Sequence, residues 1–199
     1  LQRTASEFPP LLDRLRPTFS PPPIVYDFDD AIYLGRGGSW SRVRERTFRE
    51  VVRMSSWIVT GNAHLARVAG MPQKTTVIPS VVDTAKYHPA AEREEPGRLV
   101  VGWMGTASNF VHLRPIVPKV LEAIARIPGA RLVIVSNGVL PELRDNRLVE
   151  QRRWSSASEV EDLQSFDVGL MPLSDSEVAR GKCAFKMLQY MAVGIPVVA

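Results

Sequence analysis

The chain has 199 residues, with 25 Lys and Arg against 21 Asp and Glu, a net charge of +4 and 45% hydrophobic residues. That balance belongs to a globular protein with one or two real cores, and no apolar run is long enough to span a bilayer. The mild positive excess suits an anionic substrate or a phospholipid surface without requiring nucleic acid. The single cysteine leaves no internal disulfide and fits a reducing, cytoplasmic setting.

No zinc-type Cys/His spacing, RNA-binding signature or Walker loop is present. His64, His88 and His112 are scattered and carry no ligand spacing. The chain starts at Leu1 without a methionine and stops at Ala199 in or beside a strand, so it is read as a piece of a longer protein.

Residues 1–16 contain a short amphipathic piece between prolines, and residues 17–23 form a proline-rich connector. Residues 24–33, IVYDFDDAIY, predict a strand whose C-terminal end carries carboxylates. In open α/β sheets the ligand crevice lies at the carboxyl ends of strands, so Asp29 and Asp30 are candidates for metal binding, base chemistry or hydroxyl binding. An acidic turn followed by a helix cap is the plain alternative.

Residues 35–40 are a glycine-rich connector, and residues 41–54 a helix bearing Arg42, Arg44, Arg46, Arg49 and Arg53. That helix is either a solvated face or a contact with anionic lipid. A strand at 57–60, a helix at 63–69 capped by Asn62 and ended by Gly70, and a strand at 75–78 complete the first half.

The polar, proline-containing residues 86–98 are the best domain boundary. After it come a strand at 99–103, a small-residue loop at 104–109, a helix at 115–127 and a strand at 131–135. This order, with Gly105 and Thr106 in the first loop, is what a phosphate cradle requires. It lacks the Gly-x-Gly-x-x-Gly of a dinucleotide site. Trp154 precedes a further helix and is either a packed residue or a cover for a nucleobase.

The last stretch, FDVGLMPLSDSEVARGKCAFKMLQYMAVGIPVVA, predicts a strand at 167–170, a loop at 174–181, a helix at 182–193 ended by Gly194, and a strand from 195. At about 100° per residue, Lys182, Lys186 and Gln189 fall within an arc of about 60°, leaving Met187, Leu188 and Met191 for the sheet. The polar face begins at a helix N-terminus after Gly181, where an anion is favoured; two solvated lysines are the plain alternative.

This stretch resembles the donor-site segment of retaining GT-B glycosyltransferases of the "glycosyl transferases group 1" family (family four). Gln189 to Val198, QYMAVGIPVV, matches the second half of the family's motif, an acid, seven residues, then Glu-Ala-Met-Ala-x-Gly-x-Pro-Val-Val. The chain departs at both acids, with Gly181 and Gln189 in their places. DFDDA and GKCxFKxLQYMAxG are similar to the forms these motifs take in one branch of the family. Ile78-Pro79-Ser80-Val81-Val82-Asp83 resembles the Ile-Pro-Asn-Gly-Val-Asp that closes the family's first domain.

The resemblance implies an α/β fold of the GT-B kind, with two Rossmann-like domains facing a cleft and both incomplete here. Residues 1–90 would be the later part of the acceptor domain and residues 91–199 most of the donor domain. It implies a metal-independent transfer, with no cofactor, of a sugar from a nucleotide-diphosphate donor to a hydroxyl on a glycan or lipid-linked acceptor. Asp29 and Asp30 would face the acceptor, as the positions of the family's His-Asp. Lys182 and Lys186 would meet the diphosphate, Gly105 and Thr106 would offer it backbone N–H groups, Gln189 would hold the ribose, and Trp154 the base. A cytoplasmic location, with peripheral contact at the inner face of the membrane as an option, goes with that reading. A binding module without catalysis, or another Rossmann-like nucleotide-sugar enzyme, stays open as an alternative.

Overall fold

The computed structural model describes residues 22–91 and 98–199; the amphipathic piece expected at 1–16 and most of the proline connector lie outside the described residues. The chain forms two compact units. One ends at Ser80 and also takes in Asp175–Cys183; the other comprises Val81–Ser174 and Ala184–Ala199. The division thus falls ahead of the polar stretch 86–98, and a segment near the C-terminus returns to the first unit.

The first unit holds three parallel strands, β1 (Val25–Phe28), β2 (Trp57–Thr60) and β3 (Thr75–Val77), in that spatial order. Helices α1 (Arg42–Met54) and α2 (Ala63–Ala69) connect them. Period-two alternation buries Tyr26 and Phe28 on β1 and Ile58 on β2. From α1, Phe48 and Val52, four residues apart on one face, meet them; Phe28 and Phe48 pack edge to face with centroids 5.3 Å apart. Ser41 and Asn62 cap the two helices, accepting from the N–H groups of Arg44 and Leu65, and Gly70 closes α2 at a φ of 69°.

The second unit is a five-stranded parallel sheet: β4 (Val100–Met104), β5 (Arg131–Ser136), β6 (Val149–Arg153), β7 (Val168–Leu170) and β8 (Val197–Val198), ordered β6-β5-β4-β7-β8. A parallel sheet needs cover on both faces, and the unit has two cores. Val101, Trp103, Leu132 and Ile134 face one, with Phe110 and Leu113 of α3 (Phe110–Leu113) and Val117 and Ile124 of α4 (Val117–Ile124). Val100, Met104, Val133 and Val135 face the other, with Leu163 of α5 (Glu159–Gln164) and Tyr190. Gly102 has no side chain because the Phe166 ring occupies that space.

Three expectations are corrected. The loop at 174–181 contains a short helix, α6 (Glu177–Arg180), which Ser176 caps. The helix expected over 182–193 is α7 (Phe185–Ala192), because Ala184 ahead of it adopts the left-handed conformation, φ 54°, and interrupts the helical path. Its faces also differ from the periodicity reading: Gln189 and Tyr190 are buried, and Met191 is 61% exposed. Strand β6, Val-Glu-Gln-Arg-Arg, is too polar to read as a strand. It is an edge strand, where charge is usual, and Gln151 both donates to and accepts from the Leu140 backbone.

Candidate functional site

Strand order in the second unit runs outward from β4 in both directions, so β4 and β7 flank a topological switch point, where α/β sheets bind ligands beyond the strands' carboxyl ends. Met104 and Leu170 end these strands, and the buried Tyr190 hydroxyl joins them, accepting from the Met104 N–H at 2.9 Å and donating to the Leu170 carbonyl at 3.3 Å. Gly105 and Thr106 follow β4 directly. The Gly105 N–H donates to the Val135 carbonyl at 3.1 Å, so the expected offer of this group to a phosphate is corrected: it stitches the loop to β5. The Asn137 side chain accepts from the Ala107 N–H, and the Thr106 hydroxyl bonds Ser108 and Asn109, which shapes the rest of the loop.

Three residues singled out in the sequence, Trp154, Lys186 and Gln189, converge on one that was not. Glu159 begins α5, and its residue surface is 7% exposed. Its Oε2 accepts from the Tyr87 hydroxyl at 2.7 Å and from Lys86 Nζ at 3.2 Å. Its Oε1 accepts from Lys186 Nζ and Gln189 Nε2, both at 3.3 Å, and from Trp154 Nε1 at 3.4 Å. Burial pushes the carboxyl up, but the Tyr87 hydroxyl, the Lys186 cation, Lys86 and Gln189 outweigh it and hold it at about 2. Burial pushes Lys186 down, and the Glu159 charge works against that.

Gln189 is wholly buried, and its Oε1 has no hydrogen-bond partner among the described residues. Sequence reasoning passed over Glu159 because Ser158-Glu159 at a helix start reads as ordinary N-terminal chemistry.

The first unit carries Asp29 and Asp30 just past the end of β1, Asp29 exposed and Asp30 half-buried. Lys182 belongs to this unit and lies ahead of α7, which begins at Phe185, so it does not share a helix face with Lys186 as expected. Residues 175–183 are fastened here. Asn62 Nδ2 donates to the Arg180 and Lys182 carbonyls at 3.3 and 3.2 Å, and Cys183 Sγ donates to the Asp29 carbonyl at 3.2 Å. Glu177 accepts from the Tyr33 hydroxyl at 2.8 Å and bonds His64 Nε2 at 3.0 Å. Burial pushes the Cys183 thiol up, and the Asp29 and Asp30 charges add to that.

Along α1, Arg42, Arg46, Arg49 and Arg53 share one face with Glu45 and Glu50; Arg46 pairs with Glu50 at 3.1 Å. No helix among the described residues is long and apolar enough to cross a membrane, and none of their His, Cys, Asp or Glu side chains form a group of three suited to a metal ion.

The fold, α/β with parallel sheets, matches that of GT-B glycosyltransferases. The chain superposes on TarM with a TM-score of 0.68 at 12% identity, covering 96% of this chain and 39% of that one. The pneumococcal O-GlcNAc transferase GtfA in complex with UDP and GlcNAc gives 0.63 at 15% identity, covering 88% and 37%. A variant of S. aureus TarM in complex with fondaparinux, alpha-GlcNAc-glycerol and UDP gives 0.61 at 13%, covering 87% and 36%. The chain therefore spans about two fifths of the length of these structures. No protein-family model matches the sequence, and no curated protein matches it.

Proposed function

We propose that the chain is part of a retaining glycosyltransferase that moves a sugar from a nucleotide-diphosphate sugar to a hydroxyl of a glycan or lipid-linked acceptor. The observation that carries this reading is the gathering of Lys86, Lys186, Gln189 and Trp154 around Glu159 in the parallel-sheet unit whose fold matches GT-B enzymes. Two lysines against one carboxylate leave one positive charge in surplus, which suits a leaving diphosphate; stabilising that charge lowers the barrier to breaking the sugar–phosphate bond. Gln189 is the side chain for the ribose and Trp154 for the base. Asp29 and Asp30, beyond β1 of the first unit, take the acceptor hydroxyl, with Asp29 orienting it or accepting its proton. No resident metal or cofactor enters this scheme. GtfA and the TarM variant were solved with UDP, which makes a uridine donor the first choice to test.

The arginine face of α1 supports peripheral contact with anionic lipid, which suits a lipid-linked acceptor. Activity would then sit at the cytoplasmic face of a membrane.

The test is donor turnover by the whole protein that carries this chain, across UDP-, GDP-, ADP- and dTDP-sugars, following released nucleoside diphosphate. Release from one donor, lost in Lys186→Ala and Asp29→Asn, supports the transferase. Binding without release when acceptors are supplied supports a non-catalytic nucleotide-sugar module. No binding to any donor overturns the reading.

A further inference from the structure

We propose that Glu159 is the positioning residue of the donor site: its buried carboxylate holds Lys186, Gln189 and Trp154 in place on one oxygen, while Lys86, on the other oxygen, opposes the Lys186 cation. This rests on the donor-site reading above.

The geometry divides the carboxylate into two halves. Tyr87 and Lys86 bind Oε2; Lys186, Gln189 and Trp154 bind Oε1. Five donors exceed the roughly four lone-pair sites a carboxylate offers, so the donors share, and one can turn to an arriving anion without leaving the acid bare. The same acid fixes which way the Gln189 amide points. With Nε2 on Glu159, its Oε1 stays a buried acceptor with no partner among the described residues, the arrangement of a side chain held ready for a donor such as a ligand hydroxyl. The Trp154 indole is tied to Glu159 along its N–H edge and remains 40% exposed. Glu159 itself touches no substrate in this scheme; it acts through the three residues it orients.

Among the described residues, the charged groups acting on Lys186 are Glu159 from α5 and Lys86 from the segment ahead of β4. Glu159 favours the Lys186 cation, while burial and Lys86 oppose it. Removing the acid's charge moves Lys186 deprotonation to lower pH; removing Lys86 moves it to higher pH.

The experiment measures affinity of the whole protein for UDP, GDP, ADP and dTDP by calorimetry between pH 6 and pH 10, with the Lys186 titration followed by ¹³C NMR at its Cε. Where the unmodified protein binds one diphosphate, Glu159→Gln should bind it at least about 10-fold more weakly at pH 8, with its alkaline fall-off and the Lys186 titration both moved to lower pH. Glu159→Asp, which keeps the charge, should recover the pH profile in part. Lys86→Met should move the fall-off upward, and it carries the test if Glu159→Gln does not fold. Unchanged affinity and pH profile in a folded Glu159→Gln, or an unmoved fall-off in Lys86→Met, overturns this inference and leaves the transferase reading standing. An unmodified protein that binds none of the four overturns that reading and this inference together.

Discussion

The Tyr190 hydroxyl sits between Met104 and Leu170, accepting from the first residue's N–H and donating to the second's carbonyl, beyond Gly102 and Gly169, the last directly paired residues of β4 and β7. The phenol thus continues the sheet's hydrogen bonding where the two strands part. Burial pushes its ionisation well above the ordinary tyrosine range, so it remains a neutral donor and acceptor at any working pH. Tyr190→Phe keeps the ring on Gly169 but leaves a buried N–H without its acceptor. We expect a loss of about 1–3 kcal/mol in urea unfolding. A loss below about 0.3 kcal/mol would mean that the hydroxyl does not join the strands.

Glu159 makes stability depend on acid in a definite direction. Its carboxyl ordinarily titrates at 4.5 and is held at about 2 in the folded chain. A depressed acid stabilises the fold fully above the unfolded value and loses that contribution as pH falls toward the folded value. The contribution should therefore be complete above pH 4.5 and gone near pH 2, with an upper bound of about 3 kcal/mol. Urea unfolding at stepped pH checks it: Glu159→Gln should be less stable at pH 7 and should flatten the stability curve across that window. A parallel curve for the variant would assign the acid sensitivity to other carboxylates.

The unequal legibility of this fold has physical causes. Strands β2, β5 and β7 and helices α1 and α2 were readable because apolar period and caps agree, as in Asn62 and Gly70 around Ala63–Ala69. The start of α7 was not, because Lys182 and Cys183 belong by tertiary contact to the first unit, where Asn62 holds the Lys182 carbonyl, and local periodicity carries no trace of that. The inward turn of Lys186 and Gln189 was hidden for a similar reason: their partner Glu159 lies 27 and 30 residues away in sequence, and without it two polar side chains read as solvent-facing.

Ala184 marks where that local reading fails. It is the sole non-glycine residue with positive φ among the described residues, and a Cβ in the left-handed region costs roughly 1–2 kcal/mol. Ala184→Gly removes this strain, although glycine gains freedom in the unfolded chain and offsets part of the gain. We expect net stabilisation of about 0.5–1 kcal/mol by urea unfolding. Ala184→Val, branched at Cβ, should destabilise by more than that. Stabilisation by valine would show that residue 184 is not left-handed.

Gly61 and Cys183 test how the 175–183 segment is fastened to the first unit. Gly61 follows β2, and its N–H donates to the Phe28 carbonyl at 3.2 Å. A methyl group at 61 would run into the Cys183 sulfur, which is itself fixed on the Asp29 carbonyl. Backbone conformation is no obstacle, since Gly61 does not adopt positive φ. The penalty for Gly61→Ala should therefore come from this one contact. We expect a loss of about 1–3 kcal/mol and faster amide exchange in residues 177–183, with the core of β1 and β2 less affected. Cys183→Ala removes the sulfur and should return most of that loss in the double variant, giving a coupling energy above about 0.5 kcal/mol. Additive losses would mean that the Gly61 space and the Cys183 sulfur are independent.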